Sequence, residues 1–237
     1  MTRLSVNINK IALLRNARGE NMPNLLAVAQ DCIAFGAQGI TVHPRPDQRH
    51  ITYQDVQDLK NNITVELNVE GYPNKAFLQL VHDVQPTQVT LVPDPPEALT
   101  SNAGWNLAKS HDFLVPIIKQ LQHSGIRVSV FMHPADIQKQ PLLDLACDCI
   151  ELYTYDYARE FKNCKKSAIL TYQKAVNILK DSAIRIHAGH DLNLNNLKYL
   201  LSQLPNISEV SIGHALICEA LYEGLETTIK NYRAITS

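Results

Sequence analysis

The chain has no stretch approaching the ~18 apolar residues of a membrane span, and its opening, M-T-R-L-S-V-N-I-N-K, lacks the apolar core of a secretory signal. A cytoplasmic protein is the expectation. A surplus of charge is also missing: 22 Lys plus Arg stand against 23 Asp plus Glu, a formal net charge of −1. No overall field draws the chain to nucleic acid or to an anionic membrane, so any anion site must be local. The five cysteines are an odd number, and the one close pair, Cys147 and Cys149, forms a C-x-C that fits no common zinc spacing. Reduced, mostly buried thiols are expected. G-x-G-x-x-G and the Walker A pattern are absent, which argues against dinucleotide and nucleoside triphosphate cofactors, and H-x-H and H-E-x-x-H are absent too. No lysine falls inside a strand end to form a Schiff base; Lys10, just after the first candidate strand, is the nearest.

What is present is alternation. At 237 residues and 45% hydrophobic content the chain fits one large domain, 1–237, the usual size of an α/β barrel. Short β-type runs alternate with helical patterns: Leu4 to Ile8, Gly39 to His43, Thr64 to Glu70, Gln88 to Pro93, Ile126 to Met132, Cys149 to Tyr153, Ile184 to Gly189 and Glu209 to His214. Eight is the number that closes a (β/α)8 barrel. Helical faces fall between them, for example Leu25, Leu26, Ala29, Cys32 and Ile33, with Ile217, Leu221, Leu225, Ile229 and Tyr232 making one last helix. Three connections are longer than a bare barrel needs: Asn9 to Asn24, Asp94 to Gly104 and Thr154 to Lys166. Within the strands apolar and polar residues alternate, as in Leu4-Ser5-Val6-Asn7-Ile8 and Val65-Glu66-Leu67-Asn68-Val69-Glu70. Parallel strands buried on both faces normally read as continuous apolar runs. The expectation is a barrel that packs its outward residues on helices around an unusually polar, hydrated interior.

The stretch Gly39 to His50, G-I-T-V-H-P-R-P-D-Q-R-H, delivers His43 to a strand end and follows it with a loop stiffened by Pro44 and Pro46. Arg45, Arg49 and His50 offer donors to a phosphate there. In a barrel the active site is built from strand C-termini, and polar residues collect at them. Asn7 ends the first strand, His43 the second, Glu70 the third and His214 the eighth; Glu151 lies in the sixth and His190 follows the seventh. By alternation Asn7, His43, Glu70 and Glu151 face inward. Glu70 near His43 makes an acid/base pair, Gly213 before a helix offers backbone N–H groups to a phosphate, and His190 is placed to act as an acid. A metal-dependent aldolase or hydrolase using these groups as ligands is the rival reading, and a non-catalytic phosphometabolite-binding barrel is a third.

Four stretches, Val6-Asn7-Ile8 through Arg15-Asn16-Ala17-Arg18-Gly19, Gly39 to Ile51, Ala188-Gly189-His190 and Ile212-Gly213-His214-Ala215, occur together in order. In them the chain resembles the pyridoxine 5'-phosphate synthases of the deoxyxylulose-dependent vitamin B6 pathway, essentially end to end. The resemblance implies a (β/α)8 TIM barrel whose extra helices mediate a homo-oligomer built from dimers, up to an octamer, with no metal or organic cofactor. It implies condensation of two small phosphorylated substrates, 1-deoxy-D-xylulose 5-phosphate and 3-amino-2-oxopropyl phosphate. His43 and Glu70 would be proton acceptors, His190 the donor, and Glu151 a carboxylate that stabilises charged intermediates. Asn7, Arg18, Gly213 and His214, with the backbone at Asp191, match positions for the aminoketone phosphate. Arg45, His50 and Thr100, with Asn9 and Lys10, match positions for deoxyxylulose phosphate, and 94–104 matches a mobile cover. The chain departs from the common pattern at Asn9-Lys10, where Asp-His is common, at Tyr153-Thr154-Tyr155, where His-Thr-Gly is common, and at Asp191, where glycine is common.

Overall fold

The computed structural model describes residues 1–93 and 103–237. The chain runs β1 (Arg3–Asn7), α1 (Asn9–Asn16), α2 (Leu25–Ala34), β2 (Gly39–Val42), α3 (Tyr53–Asn62), β3 (Glu66–Gly71), α4 (Lys75–Val84) and β4 (Gln88–Leu91). It continues with α5 (Leu107–His123), β5 (Arg127–Met132), α6 (Lys139–Leu145), β6 (Cys149–Tyr153), α7 (Tyr155–Phe161) and α8 (Lys165–Ile178). β7 (Arg185–Gly189), α9 (Leu197–Gln203), β8 (Ile207–Ile212), α10 (His214–Glu223) and α11 (Leu225–Thr236) complete it. Each strand pairs in parallel with the next, and β8 returns to β1 through Leu4 opposite Val210, so the sheet closes. The sequence sets several helix starts locally. Asn24 accepts from the Ala27 amide (2.9 Å), Asn74 from the Phe77 amide (2.9 Å), and Thr52 with Asp55 forms a reciprocal capping box.

Strand parity decides which residues meet. Leu4, Val6, Ile40, Val42, Val69, Val89, Val128 and Ile150 are fully buried in one large apolar core shared with the surrounding helices. Their alternates are polar and buried inside the barrel: Ser5, Thr41, Asn68, Thr90 and Ser129. Three hydrogen bonds link this layer, Ser5 Oγ with Thr41 Oγ1 (2.7 Å), Asn68 Nδ2 to Thr41 Oγ1 (3.4 Å) and Thr90 Oγ1 to Asn68 Oδ1 (3.0 Å). Below it, towards the strand N-termini, Arg3 donates to Glu66 (2.7 Å), Arg127 pairs with the same carboxylate and donates to Gln88 (2.7 Å), and Glu209 lies 3.7 Å from Arg3. The polar interior expected from alternation is there; pairing within it offsets part of the cost of burial, while Gln88 Nε2, Ser129 Oγ and His187 Nδ1 have no hydrogen-bond partner among the described residues. At the upper end Val92, Phe131 and Tyr153 make a small apolar cluster separate from the main core.

Three boundaries differ from the sequence reading. β8 spans Ile207–Ile212, so His214 is the first residue of α10 rather than a strand end. The last helix is two, α10 and α11, interrupted at Gly224; Leu221, assigned to an apolar face, is 75% exposed. The long connections after β1 and β6 carry helices of their own, α1 and α7. All five cysteines are free thiols, three of them buried.

Candidate active site

His43 follows β2 directly and is buried. Its amide donates to Asn9 Oδ1 (2.9 Å), while the Asn9 amide donates to Asn7 Oδ1 (3.0 Å), so the start of α1 fastens the ends of β1 and β2 together. The loop beyond is pinned by residues far away in sequence. Arg15 forms a fork with Asp55 (2.6 and 2.8 Å) and reaches the His50 carbonyl (3.2 Å); Asn16 Nδ2 donates to the carbonyls of Arg49 (3.2 Å) and His50 (2.8 Å). The Ile51 amide donates to His50 Nδ1 (2.9 Å), which leaves the ring proton on Nε2. Burial, then the charges of Arg45 and Arg49, with Lys10 adding to them, lowers His50 to about 4. The ring is therefore a neutral donor, beside the positive charges of Arg45, Arg49 and Lys10.

Two His–Glu pairs lie at the strand C-termini. His43 Nδ1 is 3.7 Å from Glu70 Oε2, and His190 Nδ1 is 3.9 Å from Glu151 Oε1. Burial, and after it Arg45, His50 and His190, keeps His43 well below the usual imidazole range, so it is a neutral base. Burial, and after it Glu70 and Glu209, raises Glu151 well above the usual carboxyl range. Burial lowers His190 to about 4. In the second pair the buried carboxyl faces the ring nitrogen. Gly189 is what makes room for it: a Cβ at 189 would lie 2.1 Å from Glu151 Oε1. His190 and Asp191 then turn the chain with φ of +80° and +58°. A left-handed L residue costs roughly 1–2 kcal/mol, and aspartate is among the non-glycine types that tolerate this region.

The second anion-ready place is the start of α10. Gly213 precedes it without a side-chain cap, leaving the first-turn N–H groups for a ligand, and it packs so closely that an added Cβ would meet Asn7 Cβ at 3.0 Å. His214 is exposed there, with Cys218 Sγ 3.7 Å from its ring. The Asp191 carbonyl is held by Asn196 Nδ2 (3.1 Å) and Asn193 Nδ2 (3.3 Å), and its side chain is exposed. Arg18 is not brought in: it sits in the exposed turn after α1, and among the described residues no hydrogen bond or ion pair joins its side chain to the others. Thr100 and the segment 94–102 of the expected cover lie outside the described residues.

The His133 ring joins Asp156 (3.0 Å) and accepts from the Ala135 amide (3.2 Å). His187 is buried within the polar interior, 3.9 Å from Glu209. Sequence reasoning missed Asp55 and Phe131. Phe131 shares inward parity with Ser129, which was the available signal, and its ring lies 4.8 Å from that of His190. Among the described residues no group of three His, Cys, Asp or Glu is arranged to hold a metal ion, and no helix is long and apolar enough to cross a membrane.

The chain is 54% identical over 232 residues to pyridoxine 5'-phosphate synthase of Cytophaga hutchinsonii, covering 98% of both chains. It is 52% identical over 234 residues to that of Parabacteroides distasonis, covering 99% of this chain and 98% of the relative. Among solved structures, 3-keto-L-gulonate-6-phosphate decarboxylase from Vibrio cholerae superposes with a TM-score of 0.66 at 10% identity, covering 99% of this chain and 97% of the other. Phosphoribosyl anthranilate isomerase from Thermotoga maritima gives 0.60 at 14%, covering 100% and 98%. These two share the barrel fold. The profile of the family described as Pyridoxal phosphate biosynthesis protein PdxJ matches residues 4–237, and the chain belongs to that family.

Proposed function

We propose that this enzyme, acting as one domain, joins 1-deoxy-D-xylulose 5-phosphate to 3-amino-2-oxopropyl phosphate and closes the pyridine ring of pyridoxine 5'-phosphate, releasing phosphate and water. The observation that carries the reading is two His–Glu pairs, 3.7 and 3.9 Å apart, at one barrel mouth that also holds two anion-ready places. Two phosphorylated substrates call for two such places. Arg45, Lys10 and the Nε2–H of His50 would take the deoxyxylulose phosphate, with Asn9 and Thr100; the uncapped start of α10 at Gly213 and His214, with Asn7, Arg18 and the Asp191 backbone, would take the aminoketone phosphate.

Ring closure needs carbons deprotonated and hydroxyls expelled as water. His43, neutral beside Glu70, accepts protons in the first kind of step. In the second, a leaving oxygen near His190 gains negative charge and takes a proton from the imidazole, which Glu151, its proton affinity raised by burial, would resupply through Nδ1. Such resupply would let a ring that titrates near 4 serve as donor at neutral pH. General acid–base transfer of this kind contributes about 10²–10⁴ in rate per step.

Exposed Leu14, Met22 and Tyr155, on segments 9–24 and 154–166, support a homo-oligomer. Sedimentation of the purified protein checks it: a species of 26.6 kDa alone would contradict it. Chelator-treated protein supplied with both substrates should release pyridoxine 5'-phosphate and inorganic phosphate in equal amounts. Activity that vanishes with chelator and returns with a stoichiometric divalent ion would favour the metal-dependent aldolase instead.

A further inference from the structure

His190 and Asp191 are consecutive left-handed residues, and neither is a glycine. Such a pair persists only where its surroundings hold it, and two tethers do so. On one side Asn196, which bonds the Asp191 carbonyl, is itself fixed by accepting from the Asn193 amide (2.9 Å). On the other, Thr154, the first residue after β6, is fully buried. Its amide donates to the Gly189 carbonyl (2.9 Å), and its single hydroxyl proton is shared between the carbonyls of Gly189 and His190. The His190 ring above packs edge-on to Tyr153, at 5.2 Å and 82°, and 4.8 Å from Phe131. The tethers are joined behind the site by buried tyrosines. Tyr172 OH donates to the Tyr153 carbonyl (2.9 Å) and accepts from the Tyr157 amide (3.2 Å), while Tyr157 OH donates to the Asn196 carbonyl (2.7 Å).

We propose that Thr154 is a positioning residue for His190: its hydroxyl holds the left-handed turn so that Nδ1 stays facing the Glu151 carboxyl. Thr154 is itself too buried to touch substrate. The inference rests on the reading of His190 as the proton-donating group. A shift of about 1 Å in a reacting group costs on the order of 10² in rate, and a hydroxyl lost from the Gly189 and His190 carbonyls frees a turn of that scale.

The test compares Thr154→Val, which keeps the shape and loses the hydroxyl, with Thr154→Ser, which keeps the hydroxyl. Steady-state kinetics on both substrates should show Thr154→Val with kcat lowered about 10- to 100-fold and KM nearly unchanged, and Thr154→Ser near the wild-type kcat. Equal losses in the two variants, or a wild-type kcat in Thr154→Val, overturn the proposal. NMR of 15N-histidine-labelled protein gives a readout independent of turnover. The His190 ring signal, assigned by its loss in His190→Gln, should move in Thr154→Val and stay in Thr154→Ser; an unmoved signal overturns positioning. A wild-type protein that makes no product while the signal moves as expected defeats the functional reading alone. Should Thr154→Val not fold, Tyr172→Phe loosens the same tether from behind, and a wild-type kcat and an unmoved His190 signal there would equally overturn it.

Discussion

Replacing Gly189 by alanine should separate the chemistry from the fold. The added Cβ would stand 2.1 Å from Glu151 Oε1 but 3.4 Å from the nearest backbone atom outside its own neighbours, the Ser211 carbonyl oxygen. Carbon contacts become favourable at about 3.5 Å, so the carboxyl oxygen must retreat by roughly 1.4 Å while the barrel wall barely moves. Overpacking of this kind costs about 1–3 kcal/mol, which for a chain of this size lowers Tm by roughly 2–12 °C. The same retreat carries Glu151 off its 3.9 Å approach to His190 Nδ1. A displacement of about 1 Å at a proton-transfer group costs on the order of 10² in kcat. The assay is product formation at saturating substrates, with the melt recorded on the same preparation. The cause can be isolated by repeating the change in Glu151→Gln, where it should add little because the misplaced group has already lost its proton chemistry. Gly189→Ala with a wild-type kcat would refute the placement of Glu151 in the reaction.

Other changes test other parts of the site. Asn16→Ala removes the side-chain bonds to the Arg49 and His50 carbonyls, leaving Arg15 alone on the latter, and should raise KM for deoxyxylulose phosphate about tenfold at nearly constant kcat, because the lost order serves ground and transition state alike; steady-state kinetics with a kcat effect instead would contradict this. Glu209 titrates near 7 in the folded chain and at about 4.3 when unfolded. The folded chain therefore keeps a proton that the unfolded chain has lost, and the resulting stabilisation, full below about 4.3, disappears as pH rises through 7. Glu209→Gln is neutral throughout, so its stability relative to wild type should climb between those values by up to about 4 kcal/mol. Urea melts across that range check the slope, and a flat difference would contradict it.

The barrel was legible because a period of two survives in every strand, and the same parity named Asn7, His43, Glu70 and Glu151 as inward residues. It also forecast the polar interior built on Ser5, Thr41 and Asn68. Local rules gave less at the eighth unit. Ser211-Ile212-Gly213-His214 reads as one strand, but Gly213 packs on Asn7 and the chain turns into α10 there. The break at Gly224 was hidden because apolar spacing continues through it, although Leu221 ends up in solvent. Partnerships across long separations left no local trace: Arg15 with Asp55 is 40 residues apart, and Thr154 with His190 is 36. The family motif marked Arg15 and Asn16, but only the fold reveals that they hold the Arg49–His50 loop.

The measurement that bears most directly on the account is binding and turnover, side by side, in wild type and His43→Ala. Both proteins should bind deoxyxylulose phosphate, and only the wild type should convert it with the aminoketone phosphate to pyridoxine 5'-phosphate, His43→Ala falling by about 10² or more. A wild type that binds both substrates and forms no product, or a His43→Ala variant that turns over at the wild-type rate, would contradict it.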